Sequence, residues 1–349
     1  MLTLKFLIKY LLSISIVLFI ASCNNNTVNE TPTYLTISGL AQGTAYNITY
    51  SAESDLDLSF EIDSILKAYD LSLSIYKDSS LVSKINSHKI IKNKECSFYT
   101  LDKYFIDCFN KSKIVYNNTK GAFNPAIYPL VKYWGFFDEK FNVAEEGNKK
   151  MIDSLLKIID FNDSSFYLKR DKICKTKYSK LDFNAIAQGH SVDIIANFLN
   201  HLDIDNYLIE IGGEIRAKGK SKSSNYWNIG IDKPIDNSSP GSEGFQVIVE
   251  LKDNCLATSG NYRKFYKRNG VKYSHTIDPE SGYPVQHSLL SVTVICSETA
   301  FADAYATAFM VMGVDKTKNF INKNDSIDLE VLLVFDDKGI NKSWQTEGF

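Results

Sequence analysis

The second half of the chain constrains its fold most. From residue 207 onward, apolar runs of strand length recur: Tyr207 to Ile211, Glu214 to Lys218, Trp227 to Ile231, Phe245 to Leu251, Leu289 to Ile295 and Leu329 to Phe335. One stretch of helical character, Thr299 to Met312, interrupts them. The first half reads differently. After a strand-like alternation from Leu35 to Tyr50 with a turn at Gly43-Thr44, apolar residues repeat at helical spacing over Leu56 to Leu71, Leu101 to Tyr116, Met151 to Ile159 and His190 to Leu202. Strands in runs, with helices placed apart from them, predict an α+β fold in which helices pack on a largely antiparallel sheet, rather than a doubly wound parallel one. Only Asp236 to Gly244 has the composition of a long surface loop, so residues 35–349 read as a single domain.

Residues 1–22 stand outside that domain. Lys5 and Lys9 precede an apolar run from Tyr10 to Ile20 that is too short to span a bilayer comfortably, and small residues follow it. Ile20-Ala21-Ser22-Cys23 resembles a bacterial lipobox, which predicts a cleaved lipoprotein signal and a diacylglycerol on the Cys23 thiol. Residues 23–34 then form a polar tether. The expected location is the bacterial cell envelope, lipid-anchored and facing the periplasm.

Charge narrows the partners. Lys plus Arg number 39 against 41 Asp plus Glu, a net charge of −2, so nothing favours a polyanion and no nucleic-acid partner is expected. Beyond Cys23 there are Cys96, Cys108, Cys174, Cys255 and Cys296. Their number is odd and no two have zinc or redox spacing, so neither a metal clip nor a full disulfide framework is indicated. All five read as structural, with Cys255 and Cys296 acting as small core hydrophobes in strand-like runs.

Five motifs carry possible chemistry. In Phe301-Ala302-Asp303-Ala304-Tyr305-Ala306-Thr307, the spacing of Asp303 and Thr307 puts a carboxylate and a hydroxyl on one helix face, one turn apart. Both are hard oxygen ligands suited to Mg²⁺ or Ca²⁺, although a cap-like charge and a back-bonding hydroxyl would look the same. Leu181 to His190 reads as a short strand handing a turn to a helix start, where free backbone groups suit phosphate and metal, or as a plain turn. Gly121 to Asn124, with the aromatics of Tyr128 to Phe136, can wrap a flat ring or pack on the core. Gly212-Gly213 marks a bulge or a close approach to a ligand. Ala257 to Tyr262 precedes Ser274-His275-Thr276-Ile277-Asp278-Pro279, in which His275 offers a base near neutrality in a polar turn.

Taken together, Gly43 to Tyr46, Leu73 to Tyr76, Gly121 to Trp134, Leu181 to Gly189, Glu210 to Gly219, Ala257 to Tyr262, His275 to Pro279 and Ala302 to Thr307 fall in the order seen in ApbE-type flavin transferases. The chain resembles that family over about residues 35 to 340. The resemblance implies an Mg²⁺-dependent FAD:protein FMN transferase that cleaves the FAD pyrophosphate, releases AMP and attaches FMN through a phosphodiester to a Thr or Ser. The implied acceptor is a partner flavoprotein, such as a subunit of a membrane redox complex. Matching residue by residue, the resemblance gives metal to Asp303, Thr307 and the Ala185 carbonyl. It gives FAD contacts to Gln42, Tyr76, Ala122, Phe123, Asn124, Asp182, Gln188 and Ile277, and His275 is the candidate base. The alternatives are FAD hydrolysis to FMN and AMP, and a non-catalytic FAD-binding lipoprotein.

Overall fold

Alternating burial organises the protein around one sheet. In the computed structural model, which describes residues 33–52, 56–87, 99–137, 148–236, 238–239, 241–262, 265–268 and 271–349, the strands Thr33–Ala41 (β1), Thr44–Ala52 (β2), Tyr207–Ile211 (β6), Glu214–Lys218 (β7), Cys255–Gly260 (β10), Leu289–Cys296 (β13), Glu330–Asp337 (β14) and Ile340–Gln345 (β15) form an eight-stranded sheet in the order β1-β2-β6-β7-β10-β13-β14-β15. From β2 to β15 every pairing is antiparallel. Tyr99–Thr100 (β3), Phe166–Lys169 (β4) and Lys172–Lys175 (β5) make a small sheet, and Trp227–Asp232 (β8) pairs with Phe245–Leu251 (β9), as Phe265–Arg268 (β11) does with Val271–Ser274 (β12). Residues 34–349 make one compact unit. Cys23, the signal segment and most of the tether lie outside the described residues. Among the described residues, no helix is long and apolar enough to cross a membrane.

The helices are Ser59–Leu73 (α1), Leu81–Ser87 (α2), Lys103–Asn118 (α3), Tyr128–Tyr133 (α4), Lys149–Leu156 (α5), Ala187–His201 (α6) and Thr299–Lys323 (α7). The two faces of the large sheet take different cover. Val292 and Val294 of β13 join a core with Ala302, Ala306 and Phe309 of α7 and Phe105 and Phe109 of α3. Ile295, from the opposite face, packs with Leu332, Val334, Trp227, Ile229 and Val249, so the β8–β9 hairpin covers that side. Both faces are covered at β13, and for that reason this strand is apolar almost throughout instead of alternating.

Three expectations change in detail. The helix read as ending at Met312 continues to Lys323 across a break at Gly313, whose φ of 72° and ψ of −177° are not helical. His287 packs 3.1 Å from where a Cβ at Gly313 would sit. Gly212 and Gly213, with φ of 67° and 105°, are a two-residue hairpin turn between β6 and β7 rather than a bulge. Leu181 to Phe183, expected as a short strand, joins no strand ladder among the described residues. Asn86 explains this: its amide accepts from Leu181 N–H at 2.8 Å and donates to Leu181 O at 2.7 Å, taking the groups a neighbouring strand would need. Cys108, Cys255 and Cys296 are buried and free, Cys174 is disulfide-bonded, and Cys96 lies outside the described residues.

The N-terminus of α7 is capped from another helix. Its own preceding residue, Glu298, gives no side-chain cap. Asp193 of α6, buried at 4% exposure, accepts instead from Thr299 N–H at 3.0 Å, Thr299 Oγ1 at 2.9 Å and Ala300 N–H at 2.9 Å, and it also pairs with Arg216 of β7. Asp193→Ala removes the cap and strands a half-buried guanidinium, so it should cost about 3–5 kcal/mol in urea unfolding. A loss below about 1 kcal/mol would mean that α7 is held by packing alone.

Candidate functional site

The site is built where α6 and α7 begin side by side. Gly189, on the first turn of α6, makes this approach possible, because a Cβ there would overlap the Thr299 carbonyl oxygen. Its N–H donates to Asp303 Oδ2 at 3.1 Å. Four residues along α7, Thr307 Oγ1 lies 3.2 Å from Ser259 Oγ on β10. The expected metal pair therefore sits in a setting of oxygen groups, with the turn that carries Ala185 leading directly into α6.

This donor set fits a hard divalent cation. The buried carboxylate and two hydroxyls, with the carbonyl expected from Ala185, are all oxygen ligands, and so few protein charges leave room for water and phosphate oxygens, as Mg²⁺ prefers. Among the described residues no group of three or more His, Cys, Asp and Glu side chains gathers as ligands, and the expected set, with its single carboxylate, does not require one.

Burial pushes the Asp303 carboxyl up to about 7, opposed by the Gly189 N–H. In metal-free protein the native state thus holds a proton that the unfolded chain has released above pH ~4. The stability contributed here is complete below that pH and is lost as pH rises through about 7. Asp303→Asn abolishes the dependence. With EDTA present, the thermal midpoint of the Asn variant should therefore gain on wild type between pH 5 and pH 8. A difference that stays constant with pH would place the Asp303 titration elsewhere.

The expected flavin residues fall into two groups. Tyr76 is largely exposed, and its hydroxyl accepts from Asn184 Nδ2 at 3.1 Å. Asp182 is buried and pushed up to about 6 by desolvation, against the N–H of Asn184 that it accepts at 2.9 Å; its charge also helps to raise the Tyr76 phenol. The Asp182 N–H donates to Pro125 O at 2.7 Å, which joins the Ala122-Phe123-Asn124 loop to this group. In that loop the side chains face inward. Phe123 is a core residue at 1% exposure, and the Asn124 amide donates to Ile159 O at 2.9 Å and accepts from Ala126 N–H at 2.8 Å.

The second group surrounds the start of α6. Gln188 packs against Gly212, where any Cβ would strike its amide, and Thr44 at the start of β2 borders the same spot. Gln42, in the β1–β2 turn with φ of 54°, has both amide atoms buried without a hydrogen-bond partner among the described residues. Such atoms are costly unless something binds them.

The His275 segment is fixed from the side of α4. Ile277 pairs with Pro284 and is buried with Leu130, Trp134 and Ile159. Trp134 Nε1 donates to Gly282 O at 2.8 Å, so this aromatic stretch packs on the core. His275 itself is partly exposed at the end of β12. Three residues in this region escaped the sequence reading: Asn184, Gly189 and Ser259. All three stood inside motifs read from the sequence, but the contacts that give Gly189 and Ser259 roles are made to α7, more than 45 residues away in the chain.

The sequence matches the ApbE family over residues 42–333. It is 31% identical over 334 residues to the FAD:protein FMN transferase of Haemophilus influenzae, covering 92% of this chain and 91% of that one. It is 33% identical over 317 residues to the protein of the same name in Vibrio cholerae, with 88% and 89% covered. Among solved structures, the flavin transferase ApbE from Vibrio cholerae superposes with a TM-score of 0.79 at 29% identity, covering 91% of this chain and 98% of that one. The ApbE protein from Thermotoga maritima gives 0.78 at 25% identity, with 90% and 98% covered.

Proposed function

The chain belongs to the ApbE family and is a transferase, and we propose that it cuts the FAD pyrophosphate and joins FMN through a phosphodiester to a Thr or Ser hydroxyl of a partner flavoprotein. The observation that supports this most is the buried Asp303 carboxylate, fixed by the Gly189 N–H one turn from Thr307. A desolvated carboxylate with a single neutral donor is poised for a cation. Asp303, Thr307 and the Ala185 carbonyl would hold Mg²⁺, whose chemistry there is to offset negative charge on the pyrophosphate oxygens.

The remaining work falls to the chain. Tyr76 and the groups around Asp182 bind and orient the flavin end, while Gln42 and Gln188 supply amides. The acceptor hydroxyl oxygen forms a bond to the FMN-side phosphorus, the bond from that phosphorus to the bridging oxygen breaks, and AMP departs with that oxygen. His275 takes the hydroxyl proton. Incubation with FAD, Mg²⁺ and an acceptor flavoprotein, followed by intact-mass measurement, tests the reading. The acceptor should gain the mass of FMN less water. Free FMN and AMP with an unmodified acceptor would make the protein a hydrolase, and unchanged FAD would make it a carrier.

We also propose that Cys23 carries a lipid and that the domain faces the periplasm. The lipobox-like Ile20 to Cys23 supports the first point. The disulfide at Cys174 supports the second, since such bonds persist in oxidising compartments. Cys23→Ala should move the protein from the membrane to the soluble fraction with its transferase activity intact. A variant still membrane-bound after a high-salt wash would remove the anchor.

A further inference from the structure

Next to the His275 segment, two buried acceptor atoms have no hydrogen-bond partner among the described residues, and the residues that carry them line a cavity. Asn261 directly follows β10 and is 8% exposed. Its N–H donates to Leu290 O at 3.1 Å and its Nδ2 to Leu289 O at 2.8 Å, which fixes the amide and leaves Oδ1 buried without a partner among the described residues. His287 Nε2 lies 2.8 Å from Met310 O. A carbonyl only accepts, so Nε2 carries a proton, and in the neutral ring Nδ1 is then an acceptor. That atom is also buried and has no partner among the described residues. Asn261 and His287, with Ser274, Val285 and Gln286, line a cavity of about 310 Å³.

Its position ties it to both halves of the site. Ser274 immediately precedes His275. Asn261 is two residues beyond Ser259, whose hydroxyl meets Thr307. Met310 is three residues past Thr307, about 4.5 Å along the helix axis. Neighbouring Cα atoms in a bound polypeptide are 3.8 Å apart. A residue whose hydroxyl is held between His275 and Thr307 therefore has its chain neighbours within reach of this cavity.

We propose that the cavity is a subsite for the acceptor polypeptide, in which Asn261 Oδ1 and His287 Nδ1 accept hydrogen bonds from amide N–H groups flanking the target hydroxyl. This rests on the transfer reading above. Two buried acceptors suit peptide N–H donors, which the acceptor brings whatever its side chains, and an unmade bond to either is costly. Water is the competing occupant, since the volume would hold roughly ten molecules at about 30 Å³ each.

The test uses a pool of Thr- and Ser-centred decapeptides with randomised flanks, together with FAD and Mg²⁺. Asn261→Leu removes one acceptor, and Gln286→Trp, at an exposed position on the rim, obstructs the cavity even if the first variant does not fold. Either folded variant should raise the peptide KM by about tenfold or more. The FAD dissociation constant should stay at the wild-type value, and kcat at saturating peptide should remain within about twofold. Unchanged peptide KM in the folded variants means that the cavity holds only water, and overturns the subsite alone. Wild-type enzyme that labels the acceptor flavoprotein but no peptide overturns the subsite, and wild-type enzyme that labels neither overturns the transfer reading and the subsite with it.

Discussion

Asp303→Ala should lower FMN transfer by roughly 10³-fold or more while the protein stays folded, because this carboxylate is expected to supply several kcal/mol of charge stabilisation through the cation it holds. The fold should tolerate the change. Asp303 is a desolvated acid whose one hydrogen bond among the described residues comes from the Gly189 N–H, so its removal relieves a burial cost instead of creating one. Two readouts separate the site from the scaffold. Mg²⁺ affinity, followed by titration with bound FAD, should collapse, whereas FAD binding without metal should change little, since Tyr76 and Asp182 lie in a separate group joined through Asn184. Thr307→Ala should show the same pattern more weakly, as a neutral ligand contributes less than a charged one. Wild-type turnover of Asp303→Ala at limiting Mg²⁺ would remove this residue from the site.

What the sequence revealed follows from what determines each element locally. β6, β7 and β9 match their expected limits, as each is an apolar or alternating run bounded by turn residues, with Gly212-Gly213 at one end of the first pair. β10 was missed. Its residues, Cys-Leu-Ala-Thr-Ser-Gly, show neither alternation nor an aromatic run, because both its neighbours and the cover on its two faces come from elsewhere in the chain. β3 is two residues long and α4 six, too short for any period to emerge. The site divides the same way. The four-residue spacing of Asp303 and Thr307 is a local property of one helix and can be read directly. The Ser259 hydroxyl at Thr307, the Gly189 N–H at Asp303 and the Asp193 cap on Thr299 depend on how β10 and α6 dock on α7. Packing sets that docking, and no residue spacing encodes it.

His275→Ala should slow single-turnover transfer at saturating FAD by about 10²–10⁴-fold, with the FAD dissociation constant nearly unchanged. A base acts on the acceptor proton as the oxygen attacks phosphorus, and the ground-state FAD complex has no such proton to lose. Folding should survive, since the segment is anchored by Ile277 in its core cluster, the Ile277–Pro284 pairing and the Trp134 bond to Gly282 rather than by an imidazole in the core. The pH profile adds a second test. If His275 is the base, the variant loses the rise in rate with pH that its deprotonation produces, and the residual rate should follow hydroxide or another group. A variant that keeps wild-type single-turnover rate between about pH 6 and 9 assigns the proton elsewhere. Asp182 is then next, as a buried carboxylate already pushed up to about 6 and thus more basic than an ordinary acid. Asp182→Asn separates the two: a carboxylate base loses its rate in that variant, whereas a carboxylate that only orients the flavin end loses FAD affinity first.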